Sequence, residues 1–423
     1  MTPATLLKYF VGNRQAILDV AASRGGVCVG LLFVLAAALA REYDGQDLLF
    51  EPWHLVLPLA ASLATSAFLY VLLHGLLLLR TWKISPRLSY RSLLTLYWMT
   101  APLALVYAIP VERFLSAANA THANLWLLGL VSLWRVLLIT RALSVVYRVN
   151  FFRALFPVML FADTVALFFL RLTPIPIVGL MGGIRLSESE SLINGTAWMV
   201  GSLGILSWPI WAVGAVAACN NSWEVINLAD VPPGPVSRSL WLVAGAAVVI
   251  WALVLPFTQP EQQLRRQAEV ALRSGRIREA LLLMSAHERG DFPPHWDPPP
   301  RIAYREESPD IIEVQEHVDV LPVKAWVREI YAEKFGNSLR GNSFAGVWSE
   351  LTPDEIERRI IIIERLPERD EILLEHAYQF ESMLPHLPSP LRERIERLFR
   401  DAGIELMRKA TPEIPEVNPD PTS

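Results

Sequence analysis

Apolar residues fill long unbroken runs through the first 257 positions, and beyond Phe257 they thin to a helical spacing among charges. Seven runs can be drawn: Gly25 to Ala40, Leu55 to Leu79, Leu93 to Ile109, Ala123 to Thr140, Ala154 to Leu170, Gly195 to Cys219 and Ser239 to Phe257. A bilayer core about 30 Å thick is crossed by about 20 residues rising about 1.5 Å each, and in lipid the backbone must bond within its own segment. The pattern therefore predicts an all-α fold. Its parts are an N-terminal segment over 1–24, a polytopic bundle of six or seven transmembrane helices over 25–257, a soluble helical domain over 258–411, and a disordered tail over 412–423.

Trp53, Trp82, Trp126, Trp223 and Trp241 fall at run ends, where an amphipathic ring prefers the headgroup level. Pro58, Pro102, Pro157, Pro209 and Pro256 lie in or beside the runs, which bilayer helices tolerate when neighbours satisfy the freed carbonyls. Gly26 with Gly30 and Gly179 with Gly183 have the spacing that lets two helices approach closely. The basic N-terminus ahead of the first run resembles a secretion signal in outline. The run instead ends in Arg41, Glu42, Tyr43 and Asp44 and more runs follow, so it reads as an uncleaved first span.

Short-loop lysines and arginines set the orientation. Arg80, Lys83, Arg87 and Arg91 join runs two and three, and Arg141, Arg148 and Arg153 join four and five, so the N-terminus is expected in the cytoplasm. Seven full crossings divide the basic residues 11 inside to 7 outside. If run five, interrupted by Asp163, enters and turns back, the division becomes 15 to 3 and the tail is cytoplasmic too. The charge rule favours the six-crossing arrangement, in a bacterial inner membrane.

The tail opens with a helical hairpin: Leu264, Ala268, Ala271 and Leu272 share a face, Ser274-Gly275 breaks the run, and Ile277, Ala280, Leu281, Leu283 and Met284 begin another. The stretch Ala271-Leu272-Arg273-Ser274-Gly275-Arg276-Ile277-Arg278-Glu279-Ala280-Leu281 resembles one unit of a tetratricopeptide-type repeat. No second copy follows, while stacking of such units generally needs about three. A proline-rich strap over 290–301 is expected to pack Phe292 and Trp296 onto the helical domain. Ser308-Pro309, Pro322 and Thr352-Pro353-Asp354-Glu355 read as helix starts. Ile356, Ile360, Ile361 and Ile363, then Ile372, Leu373, Ala377, Phe380 and Leu384, supply core faces.

A net charge of -4 gives no basic field for nucleic acid, and two cysteines, Cys28 and Cys219, make neither a disulfide framework nor a thiolate zinc site. No cofactor is implied. There is no HExxH, Walker loop, GxGxxG or GxSxG, so an enzyme is not expected. The candidate chemistry is an intramembrane polar pair, Arg135 and Asp163, because an ionised side chain in lipid calls for a partner. Gly182, Gly183 and Arg185 form a candidate anion or lipid-headgroup site, although Ser187 and Glu190 equally fit a helix capping box. Glu42, Asp44, Asp47 and Glu51 form an outer-loop acidic cluster that matches a calcium loop poorly and reads chiefly as a solvated turn. The expected role is a non-enzymatic scaffold, embedded in the bilayer, whose cytoplasmic helical domain binds a protein partner. The alternative is a transporter or channel built on Arg135 and Asp163.

Overall fold

The computed structural model describes residues 1–42, 47–48, 50–80, 88–172, 188–219, 223, 226, 228, 231, 234–300, 309–340, 351–366 and 369–404. These residues are all-α, as the run lengths require. They form two units. The first takes in the described residues up to Leu172, from Glu188 to Val270 and from Ala286 to Pro298; the second takes in those from Ala271 to Ser285 and from Pro299 onward.

In the first unit, α1 (Pro3–Phe10) and α2 (Arg14–Ala22) precede α3 (Gly26–Glu42), which meets α2 at a bend of 101°. Then come α4 (Val56–Arg80), α5 (Tyr90–Trp98), α6 (Ala117–Val146), α7 (Phe151–Leu172), α8 (Glu188–Ala218) and α9 (Arg238–Arg273). Among the described residues six helices or helix combinations are long and apolar enough to cross a bilayer, and the bent pair of α2 and α3 allows a seventh. Leu57, Val71, Leu206, Val213 and Leu242 are each more than half exposed, as a lipid-facing surface would be. The third run does not stay α-helical. α5 ends at Trp98, ahead of Pro102, and continues as 3-10 turns over Ala101–Ala108 and Val111–Arg113.

The close approach expected at Gly26 and Gly30 is present between α3 and α5. A Cβ on Gly26 would stand 2.5 Å from the Thr95 methyl, and one on Gly30 would stand 2.8 Å from Trp98 Cβ. Tyr9, beneath α1, is fully buried and donates its hydroxyl to the Leu96 carbonyl at 2.7 Å. Gly179 and Gly183 lie outside the described residues, as does Ser187, the expected capping partner of Glu190.

Run five crosses the bundle completely, which corrects the expectation that it turns back. α7 is continuous over 22 residues despite Pro157, and α8 lies antiparallel to it along its length. Phe156 meets Trp211 with ring centroids 5.9 Å apart, Asp163 meets Ser207, Thr164 meets Trp208, and Leu167 meets Gly204. α8 thus returns to the end from which α7 started, where Ile226 N–H donates to the Val146 carbonyl at 2.8 Å and Trp223 packs on Tyr147. Asp163 has a hydroxyl partner and does not force the helix out.

The unit accordingly has two distinguishable ends. At one, the Met1 ammonium donates to the Pro235 carbonyl at 2.9 Å and Arg91 donates to the carbonyls of Ser23 and Arg24. At the other lie Asp47, Arg113, Leu115 and the stretch of α9 beyond Phe257, joined by contacts described below. Met1 and the continuation of α9 leave by opposite ends.

In the second unit the hairpin break falls at Ser274-Gly275. Gly275, at φ +74, lets its own N–H reach Leu272 O and that of Arg276 reach Ala271 O, closing the end of α9. α10 (Ile277–Ala286) buries Ile277, Ala280, Leu281 and Met284. It is followed by α11 (Ile311–Val320), α12 (Ala325–Arg340), α13 (Pro353–Ile363), α14 (Arg369–Met383) and α15 (Ser389–Asp401). Thr352 and Glu355 form the expected capping box. α11 starts after an Asp310 cap and α12 at Ala325, each shortly after the expected proline. The face of α13 is Ile356, Ile360, Ile362 and Ile363, so Ile362 takes the buried place expected for Ile361. Phe380 and Phe399 meet at 5.2 Å in this core. The tail over 412–423 lies outside the described residues.

Candidate functional site

Arg135 and Asp163 are not brought together. Arg135, half-buried on α6, donates from Nε to Thr100 Oγ1 at 3.1 Å and sits 5.4 Å from the Tyr97 ring centroid. Thr100 stands where α5 gives way to 3-10 turns, and its hydroxyl also donates to the Tyr97 carbonyl at 2.7 Å. The cation is held by a hydroxyl and an aromatic face, a solvation that needs no carboxylate. Asp163, half-buried on α7, accepts from Ser207 Oγ at 2.5 Å. At the next residue of each helix the Trp208 indole N–H donates to Thr164 Oγ1 at 2.9 Å. The expected intramembrane pair is therefore two separate polar sites on different helix pairs.

Of the outer-loop acidic cluster, Asp44 and the Glu42 side chain lie outside the described residues. Asp47 is engaged: it is 2% exposed, and its Oδ2 accepts from Arg266 Nε at 2.8 Å. The other face of that guanidinium stacks on Phe50, 3.5 Å from the ring centroid. Glu51 faces the His54 imidazole at 3.3 Å. A carboxylate already committed to an arginine is a poor cation ligand. Among the described residues no three histidines, cysteines or acids are placed to hold a metal ion. Gly182, Gly183 and Arg185 lie outside the described residues.

The most developed polar assembly is one the sequence did not single out, at the root of the extramembrane stretch of α9. Arg266 and Asp47 form its first contact. Arg113, after the 3-10 turns, reaches Glu261 through both terminal nitrogens at 3.2 and 3.0 Å. The strap supplies the third contact. Phe292 and Trp296 stack at 4.7 Å and are both buried, and the Trp296 indole N–H donates to Glu269 Oε1 at 3.0 Å. Arg289 donates to the carbonyls of Pro293 and Trp296, tying the strap to itself, and the ring Nε2 of His295 lies 3.0 Å from Leu115 O. The strap thus packs on α9 and the loop before α6, as part of the membrane unit. Glu269 lies within the helical domain expected over 258–411, and the strap's last two prolines belong to the second unit, where the Tyr331 hydroxyl donates to the Pro299 carbonyl at 3.0 Å and Lys334 Nζ to the Pro300 carbonyl at 3.1 Å.

Arg113, Glu261, Arg289, Gly290, Phe292, Pro293, Pro294 and His295 line an open cavity of about 370 Å³. Burial pulls the Arg289 guanidinium below its ordinary value, and Asp297 pulls it back. The assembly can brace the helix against the bundle. Its side chains contain no nucleophile paired with a base. No family model, curated protein or solved structure matches the chain.

Sequence reasoning missed this assembly because its members are far apart in the chain: Asp47 meets Arg266 across 219 positions and Arg113 meets Glu261 across 148. The one available signal was the run of α9 periodicity through Pro256 and Pro260 without a turn residue.

Proposed function

We propose that the chain is a non-enzymatic membrane anchor that holds its C-terminal helical domain on the side of the bilayer opposite its own N-terminus, for contact with a protein partner. The observation that carries this reading is the clamp on α9. A helix that served only to cross the bilayer would stop near Phe257, whereas this one continues and is fastened by a buried ion pair, a second ion pair and the stacked strap. Such fastening holds the root of the extramembrane stretch of α9 against the bundle. The exposed pair Leu374 and Tyr378, one turn apart on α14, is an apolar patch suited to a partner.

The charge distribution supports the absolute orientation. The sequence at the Met1 end of the bundle (1–25, 80–91, 141–153 and 219–238) carries 11 Lys and Arg against 3 Asp and Glu. That at the other end (41–51, 110–117, 171–190 and 258–273) carries 7 against 9. The positive-inside rule then puts the N-terminus in the cytoplasm and the helical domain outside it, in the periplasm if the host membrane is a bacterial inner membrane. The expected cytoplasmic tail depended on run five turning back, which α7 does not do.

A transport reading is favoured by one observation, the Asp163 carboxylate held by Ser207 two residues before Pro209. One experiment separates the two. A photo-crosslinker in place of Tyr378 in the complete protein is expected to give one discrete adduct in membranes, lost on Leu374→Ser. Absence of any adduct, together with loss of a solute flux in Asp163→Asn, would replace the anchor reading with transport.

A further inference from the structure

The Met1 end of the bundle is covered by a hairpin that runs across the helices. α2 meets α3 at 101° and so lies near the plane that a bilayer surface would occupy, with α1 packed against it. The turn between α1 and α2 is fastened to α6 at two points: Trp134 Nε1 donates to the Phe10 carbonyl at 3.1 Å, and Arg141 Nε donates to the Gly12 carbonyl at 3.2 Å. Gly12, at φ +73, is required here, because a Cβ would also stand 2.9 Å from Arg141 Cγ. The turn lies flat on the stem of the arginine.

The inner face of α1 is accounted for by buried Leu6 and Tyr9. The outward flank is not. Leu7 and Val11, four residues apart, are 67% and 79% exposed, and beside them Lys8, Arg14 and Arg141 are exposed. The side chains of Lys8 and Arg14 make no ion pair or hydrogen bond among the described residues. The one carboxylate of the hairpin, Asp19, accepts from Gln15 Nε2 at 2.9 Å. The Trp134 ring, 43% exposed, adjoins the hairpin through its bond to Phe10. Two independent features thus converge: an apolar flank at the bilayer boundary and cations with no protein counter-charge.

We propose that this hairpin is a contact site for anionic phospholipid headgroups in the leaflet at the N-terminal end. Leu7 and Val11 enter the acyl boundary while Lys8, Arg14 and Arg141 meet the phosphates. The site does not depend on what the C-terminal domain binds.

The test uses the complete protein in detergent, titrated with phosphatidylglycerol and with phosphatidylcholine and read by native mass spectrometry of the bound lipids. Lys8→Gln with Arg14→Gln leaves the Trp134 and Arg141 fastenings untouched and removes no partnered group. The wild type is expected to retain phosphatidylglycerol in preference. The double variant is expected to lose about five-fold in relative affinity per cation removed, the worth of a basic residue near an anionic surface. Arg24→Gln, at the far end of α2, is expected to change the ratio little. An unchanged ratio in the double variant, or an equal loss in Arg24→Gln, would overturn the proposal.

Discussion

Asp47 and Arg266 offer the sharpest test of the clamp on α9. The carboxylate is 3% and the guanidinium 15% exposed, and they meet at 2.8 Å. Asp47 Oδ1 also accepts from the Phe50 N–H at 3.3 Å, so the same side chain shapes the loop that supplies the ring under Arg266. Removing one member of a buried pair leaves an uncompensated charge and costs about 3 to 5 kcal/mol. Arg266 keeps some access to water and the Phe50 face, itself worth about 0.5 to 2 kcal/mol, so Asp47→Ala should fall at the lower end, about 3 kcal/mol. Arg266→Met should cost a similar amount by stranding the acid. In the double variant neither charge remains, and the residual loss is about 1 kcal/mol for the Phe50 hydrogen bond. Pulse proteolysis across a denaturant series in one detergent gives all three values. The double variant should be more stable than either single one, with a coupling of at least about 2 kcal/mol. Losses that add to within about 0.5 kcal/mol would refute the claim that the pair acts as a buried unit.

For Arg135 and Asp163 the expectation is the opposite: since each has its own partner, Arg135→Leu and Asp163→Leu should destabilise additively, and a double variant milder than the singles would reveal an ion pair absent from this structure. Gly30→Ala should cost about 1 to 3 kcal/mol, because its Cβ would press on Trp98 Cβ at 2.8 Å, whereas Gly129→Ala, with open space around it, should be neutral or gain up to about 1 kcal/mol. Thermal melts in detergent that rank the two alike would contradict the close approach of α3 and α5. In the second unit, the hydrogen-bonded Arg358 guanidinium holds the Glu316 carboxyl below its ordinary value. A depressed acid stabilises above its unfolded value of about 4.3, and that contribution is lost as pH falls through the lower folded value. Glu316→Gln should therefore flatten the acid side of the stability profile, and superimposable profiles below about pH 5 would show that the pair contributes nothing there.

How far the fold could be read in the sequence follows from the range of the forces involved. Lipid imposes helix on any long apolar run, so seven runs and their approximate bounds were legible, as were the Thr352 cap, the Gly275 break and the Gly26 and Gly30 contact. Whether run five crosses was not. That depends on a hydroxyl 44 positions away, since Ser207 satisfies Asp163 and lets α7 continue. The same holds for Arg135, whose partner Thr100 becomes available only because α5 breaks ahead of Pro102. The strap was legible as a packed segment through Phe292 and Trp296. Its contact with Glu269 falls within the helical domain expected over 258–411, whereas its contact with Leu115 was not legible, because that residue carries no local signature.

The proposed topology sets Met1 and the C-terminal domain on opposite sides of the membrane. Single cysteines at Ala4 and Tyr378, both exposed, can be placed in a chain whose Cys28 and Cys219 are changed to alanine. They are then labelled with a membrane-impermeant maleimide on intact and on lysed cells. Tyr378→Cys should be labelled on intact cells of a bacterial host with a permeabilised outer membrane, and Ala4→Cys only after lysis. Both positions protected until lysis, or both labelled before it, would contradict seven crossings and restore an even number.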